Sequence, residues 1–178
     1  MQKIELRRIT DAEHTMYAEA LRLYDESFPL HERRERPSQE SILRDPDYSF
    51  DLIFDSDEFI GLALFWEKAG FIYIEHLCIL PEKRNMHYGE MTLNALKKRG
   101  SVIILEIDPP VDDISRRRMA FYERCGFHEN SFHHIHPPYH NGFRGHELRI
   151  MSYPEAISDR IYEEFNGFLC THIMADAF

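Results

Sequence analysis

The stretch Leu77-Cys78-Ile79-Leu80-Pro81-Glu82-Lys83-Arg84-Asn85-Met86-His87-Tyr88-Gly89-Glu90-Met91 decides the fold. It reads as an apolar strand, a short basic turn and a glycine at the opening of a helix. The first turn of a helix carries unpaired backbone N–H groups and the positive end of its dipole. A phosphate docks on such a turn with little further help. The segment therefore predicts an anion site where a strand gives way to a helix.

Upstream, the chain prepares that strand. Lys3 to Ile9 alternates apolar and charged residues, as a half-buried strand should. Thr10-Asp11-Ala12-Glu13 has the form of a capping box, and Tyr17, Leu21, Tyr24 and Phe28 follow at helical spacing. Ser38 to Arg44 reads as a short helix stopped by Asp45-Pro46. Tyr48 to Phe54, Phe59 to Trp66 and Phe71 to Leu80 read as an antiparallel meander leading into the turn.

Downstream, Leu93 and Leu96 share a helix face with Gly89, and Gly100 suits the left-handed cap after that helix. Ser101 to Ile107 is rich in β-branched residues, and a strand, crossover helix and strand imply a local parallel pair. Asp112 or Asp113 can cap a helix whose inner face would carry Ile114, Arg118, Phe121 and Cys125. Phe127 to His136 and Gly145 to Tyr153 read as strands. Ile157, Ile161, Phe165 and Phe168 give a final amphipathic helix, which can pack on its own domain or on a second copy as a homodimer. The expected fold class is α/β (α+β), a mixed and largely antiparallel sheet flanked by helices. It forms one domain over residues 1–178, with a core of 2–153 and a helical extension over 154–178.

The helix after the crossover strand ends in Phe121-Tyr122-Glu123-Arg124-Cys125-Gly126-Phe127. This motif and the Arg84–Gly89 turn together resemble the GNAT superfamily of acyl-CoA-dependent N-acetyltransferases. The family's phosphate turn is Gln or Arg, two variable residues, Gly, one variable residue, then Gly or Ala. Arg84 and Gly89 match it, while His87 stands where the first glycine is usual. The later motif, an aromatic or Leu, then Tyr, three residues, Gly and Phe, is complete. Ser115 stands where the family often has Asn, seven residues before the Tyr. The resemblance covers residues 2–153.

It implies acetyl transfer from acetyl-CoA to a small-molecule or peptide amine. Arg84, Asn85, Met86, His87, Tyr88, Gly89 and Glu90 would hold the pyrophosphate, and backbone groups of Leu77, Cys78 and Ile79 would pair with the pantetheine arm. Ser115 joins this cofactor-binding set. Histidine tolerates positive φ better than most residues, so the turn can survive His87. Tyr122 is the candidate general acid for the departing thiolate. Glu75 is the candidate base: it is a lone carboxylate in an apolar strand, and partial desolvation would raise its pKa toward a useful value. His76 competes with it and would point to the opposite face of a regular strand, and a water carrying the proton is the third alternative. Use of another acyl-CoA, or a non-catalytic acyl-CoA sensor, are the alternative functions.

The bulk numbers agree. Lys plus Arg total 21 against 31 Asp plus Glu, a formal charge of −10. That excludes a generic nucleic-acid binder and mildly favours a cationic partner. Cys78, Cys125 and Cys170 have no CxxC spacing, which points to reduced thiols and a cytoplasmic protein. Residues 1–8 lack the apolar run of a signal peptide, and no stretch reaches the roughly 18 apolar residues of a membrane span. His133, His134, His136, His140 and His146 lack partners at zinc spacing, so no metal is expected and this stretch is assigned to the acceptor side. Glu26 and Glu32, near the end of the first helix, are placed on a solvated helix end.

Overall fold

A computed structural model describes residues 4–178, so Lys3, the expected first strand residue, lies outside the described residues. The elements are β1 (Ile4–Ile9), α1 (Tyr17–Ser27), α2 (Arg36–Ser41), β2 (Tyr48–Asp55), β3 (Glu58–Lys68), β4 (Phe71–Ile79), α3 (Tyr88–Lys97), β5 (Val102–Ile107), α4 (Asp113–Arg124), β6 (His128–Glu129), β7 (His134–His136), β8 (His146–Tyr153) and α5 (Asp159–Phe168). Single 3₁₀ turns lie at Leu30–Glu32, Ile42–Arg44 and Pro81–Lys83, and a π-helical turn, Leu169–Ile173, follows α5.

The strands form one sheet in the order β1-β2-β3-β4-β5-β8-β6, with β7 also on β8. The pairings are antiparallel except β4 with β5, which is parallel. α3 is the crossover between those two strands, as the pattern of strand, turn and helix predicts.

Two apolar clusters cover the two faces of the sheet. On one face Tyr17, Leu21 and Tyr24 of α1 and Phe165 and Phe168 of α5 meet Phe50, Leu64, Trp66, Phe71 and Tyr73. On the other, Leu93 and Leu96 of α3 meet Ile53, Phe65, Ile72, Ile74, Ile103 and Leu105. The central strands are therefore buried on both sides and read as nearly continuous apolar runs. Among the described residues, no helix is long and apolar enough to cross a membrane.

Four local expectations are corrected. α1 starts at Tyr17, with Met16 at its cap and no side-chain cap bond, so Thr10 caps nothing there. Asp11 instead accepts from the Glu13 N–H within a turn. On α4, Ile114 is exposed and Arg118 pairs with Asp108; Ser115 is the buried residue of the first turn. Phe127 to His136 is not one strand, because the chain leaves the sheet at Asn130. There the Asn130 amide donates to the Ile150 carbonyl and Ser152 Oγ, and its oxygen accepts from the Ile157 N–H. Finally, β4 is not regular. Opposite β3, His76 pairs with Leu64 and Ile74 with Phe65, so Glu75 is an extra, bulged residue. Glu75 and His76 consequently face the same side, with Glu75 bonded to Trp66 and Tyr139 and the His76 ring packed on Tyr24, Phe28 and Tyr139.

Candidate functional site

β4 and β5 pair only from Phe71↔Val102 to Ile74↔Leu105. The bulge at Glu75 then turns β4 away, and a cavity of about 970 Å³ enters the gap. Its wall gathers the C-terminal halves of both strands, the Lys83–Glu90 turn, one side of α4, and residues of β7 and β8.

At one end lies the start of α3. Its first backbone bond is Met91 N–H to the His87 carbonyl, which leaves the earlier amides open to an anion. Asn85 and His87 both have left-handed backbones, φ 62° and 63°, and so bend the turn into a concave row of N–H groups. The turn thus keeps its curvature with histidine in place of glycine. Arg84 and Arg124 add positive charge to this end of the wall, where Lys83 is paired with Glu58. Gly89 has a further reason: a Cβ there would come within 3.2 Å of Phe121 Cζ, so the glycine also lets α3 pack on α4.

The predicted cofactor residues divide. Leu77, Cys78, Ile79, Arg84, Asn85, His87, Tyr88, Gly89 and Glu90 line the cavity. Met86 does not, and it projects from the turn 42% exposed. Ser115 does not either; it is buried in a reciprocal capping box with Asp112, where each side chain serves the other's backbone N–H. One edge of Leu77–Ile79 is already paired to β3, and the Arg84 Nε donates to the Ile79 carbonyl at 3.2 Å.

Tyr122 lines the cavity from α4, its ring against Phe121 and Phe127. Burial pushes its phenol up to about 12, although Arg118 opposes this. Such a phenol keeps its proton and can donate it or a hydrogen bond.

Glu75 does not meet expectation. Its side chain is 1% exposed and accepts three hydrogen bonds. Arg34 donates to Oε1 at 3.0 Å, Tyr139 to the same oxygen at 2.9 Å, and Trp66 Nε1 to Oε2 at 2.8 Å. Burial alone would raise its pKa, but Arg34, His76 and these bonds outweigh it and hold the carboxyl at about 2. The raised pKa expected from desolvation is thus overturned, because buried charge is tolerated here only by being paired. Burial lowers the His76 pKa despite Glu75 and a bond to the Glu32 carbonyl. Of the acidic pair near α1, Glu32 lines the cavity and is raised by burial, whereas Glu26 is exposed and outside it.

A second polar group belongs to the same cavity. Glu106 on β5 accepts from Tyr73 at 2.5 Å and bonds His134 Nε2, and His136 Nε2 lies 3.8 Å from it. Burial would raise Glu106, yet His136, His134 and Tyr73 hold it below the usual carboxylate range. Glu106 carries the same sequence signal as Glu75, one carboxylate in an apolar strand. Arg34 and Tyr139 sit in loops and give no such signal.

Comparison with known proteins agrees with this geometry. The sequence model of the Acetyltransferase (GNAT) family matches residues 14–127. A candidate GNAT-family acetyltransferase from Bacteroides thetaiotaomicron is 30% identical, with a TM-score of 0.89 over 96% of this chain and 98% of that one. A Bacillus subtilis acetyltransferase solved in complex with CoA shares the fold at 15% identity and a TM-score of 0.55, over 85% of this chain and 97% of that one. YjbC of Bacillus subtilis (strain 168), a candidate acetyltransferase, is 26% identical over 104 residues, 57% of this chain. That match spans about half, 53%, of the curated relative's length.

Proposed function

The chain belongs to the GNAT acetyltransferase family, and on that premise we propose that it moves an acetyl group from acetyl-CoA directly to a primary amine. One observation carries the reading: a single cavity joins an anion-receptive helix start to a buried polar end through the gap between β4 and β5. The pyrophosphate takes the amides at the start of α3, with Arg84 beside it. The pantetheine arm lies along the cavity side of Leu77–Ile79, and this brings the thioester toward the bulge. The Arg84 bond to the Ile79 carbonyl gives way or is shared as the arm docks.

Tyr122 is the acid. A CoA thiol has a pKa near that of cysteine, about 8.5, below the phenol's, so Tyr122 stabilises the leaving thiolate by a hydrogen bond and gives up its proton only as it takes one from the acylated nitrogen. Glu75 is the positioning residue of the acceptor end rather than the base: it fixes Arg34 and Tyr139. The acceptor end ranges over small-molecule and peptide amines in this reading.

Calorimetry should register acetyl-CoA binding, and thiol release from acetyl-CoA should depend on added amine. Silence toward acetyl-CoA and longer acyl-CoAs at millimolar concentration sinks the proposal. Tighter binding and faster release with a longer acyl-CoA would leave the acyltransferase reading and overturn the acetyl assignment.

A further inference from the structure

We propose that the wall made by His76, Tyr139 and His136, with Glu106 behind it, seats the acceptor's ammonium group, and that His136 Nε2 takes its proton. This rests on the acyl transfer proposed above.

The argument starts from two fixed tautomers. His136 Nδ1 lies 2.6 Å from the Pro137 carbonyl oxygen. A carbonyl only accepts, so Nδ1 carries the hydrogen, and in the neutral ring Nε2 is a bare acceptor. His76 Nε2 donates in the same way to the Glu32 carbonyl at 2.7 Å, which leaves Nδ1 bare. Both bare nitrogens are closed to bulk water and have no hydrogen-bond partner within the protein. A buried polar atom left unpaired is costly, so unsatisfied groups call for an explanation. Both rings line the cavity, and Tyr139 packs against each, with ring centroids 6.1 Å from His76 and 4.9 Å from His136. The missing partner of this wall is a hydrogen-bond donor.

Charge narrows the class of donor. At this end Arg34 is neutralised by Glu75 and Arg118 by Asp108. Glu106 keeps its negative charge, held low by the histidines and Tyr73. Glu32 is the other carboxylate in the wall, and His31 lies 3.6 Å from it. The wall thus offers hydrogen-bond acceptors backed by carboxylates. It fits a compact primary ammonium and disfavours an acceptor with a carboxylate beside the reacting nitrogen, as in a free amino acid.

Three groups compete for the proton. Glu75 spends three of its roughly four acceptor sites on Arg34, Tyr139 and Trp66 and stays ionised to about 2. His76 has the lone pair too, but burial, the largest influence on it, opposes its charged form despite the Glu75 carboxylate and the bond to the Glu32 carbonyl. His136 has the lone pair, and an imidazolium formed there faces the Glu106 carboxylate at 3.8 Å. The other titratable groups around it are His134 on the same strand, His146 on β8 with its ring 5.7 Å away, His76 on β4 and the neutral phenol of Tyr139.

The step balances. His136 Nε2 takes one proton from R–NH₃⁺, directly or through one water, and the freed nitrogen lone pair attacks the thioester carbon. Collapse breaks the C–S bond, and the second nitrogen proton reaches the thiolate through Tyr122. The imidazolium then returns its proton to solvent. The products are the amide, CoA thiol and one proton.

The test uses the full chain, acetyl-CoA, and spermidine, glucosamine and an N-acetylated lysine peptide as probes. Long-range ¹H–¹⁵N NMR should find His136 as the Nδ1–H tautomer; an Nε2–H tautomer overturns the proposal without any need for turnover. With the probe giving the fastest thiol release, His136→Gln should lower kcat roughly 100-fold or more and flatten the acidic limb of the pH–rate profile, with acetyl-CoA affinity unchanged. Glu106→Gln should also lower kcat, with acetyl-CoA affinity unchanged, because the imidazolium loses its carboxylate. A His136→Gln variant that binds acetyl-CoA normally and keeps the limb also overturns the proposal. No amine-dependent release from wild type, with the tautomer as expected, would instead count against the acetyltransferase reading.

Discussion

At the scale of single residues, Glu75 carries the clearest energetic consequence. Its folded pKa is about 2 against a reference of 4.5, a depression whose causes are Arg34, His76, Trp66 and Tyr139, acting against burial. A depressed carboxyl stabilises the fold above its unfolded pKa, and that contribution is lost as pH falls through the folded value. Glu75→Gln leaves the Arg34 guanidinium, 0% exposed, without its counter-ion. Breaking a buried pair from one side costs roughly 3–5 kcal/mol. Urea unfolding at neutral pH should show a loss of that order, and the gap to wild type should narrow below pH 4.5 and close toward pH 2. A neutral-pH loss near zero would show that Arg34 finds other partners. Tyr122 gives the opposite kind of prediction. Tyr122→Phe keeps the ring contacts with Phe121 and Phe127 and deletes only the hydroxyl. Acetyl-CoA affinity should hold while turnover falls roughly tenfold or more, just short of or within the usual range for acid catalysis. Unchanged turnover, with chemistry rate-limiting, would reassign Tyr122 to packing.

At the scale of elements, the β3–β4 pair sets the shape of the cavity. Gly61 faces Ile79, and a Cβ added to it would lie 2.2 Å from the Cys78 carbonyl oxygen. That contact is with backbone, so Gly61→Ala must move the strand. The expected cost is roughly 1–3 kcal/mol, measured in urea, with weaker acetyl-CoA binding because Leu77–Ile79 shifts with it. Normal affinity in a destabilised variant would argue that the arm does not lie on this strand. The same pair shows what the sequence makes legible. Alternating and continuous apolar runs place β2, β3, β4 and β5, and Arg84–Gly89 places the helix start, because those signals are local. The bulge at Glu75 is a relation between two strands, and residues 74–76 contain no glycine or proline to betray it. Strict alternation therefore put His76 on the wrong face. Arg34 and Tyr139 joined the site only through contacts across distant parts of the chain, which periodicity does not report, whereas Glu106 is legible as a lone carboxylate in an apolar strand.

At the scale of the whole molecule, the C-terminal segment is part of the core rather than an appendage. Phe165, Phe168, Leu169, Ile173, Met174 and Ala177 are buried in the same cluster as α1, and the apolar face of α5 is thereby covered by its own domain. The segment also reaches both polar groups of the cavity. The Ile173 carbonyl accepts from Arg34 at 2.7 Å, Tyr162 bonds His134 at 3.0 Å, and the Phe165 ring packs on Tyr73 and His134. Tyr73 and His134 are the two donors that hold Glu106. Phe165→Ala should therefore act twice. It opens a cavity under a fully buried ring, at a cost of roughly 3–5 kcal/mol in thermal or urea unfolding. It also loosens the packing behind Glu106, so kcat should fall more than the affinity for acetyl-CoA, which the proposed reading seats at the other end of the cavity. Phe165→Leu refills most of the space and should recover most of both losses. A large stability loss with kcat untouched would separate the C-terminal helix from the acceptor end, and a loss below about 1 kcal/mol would place it outside the cooperative core.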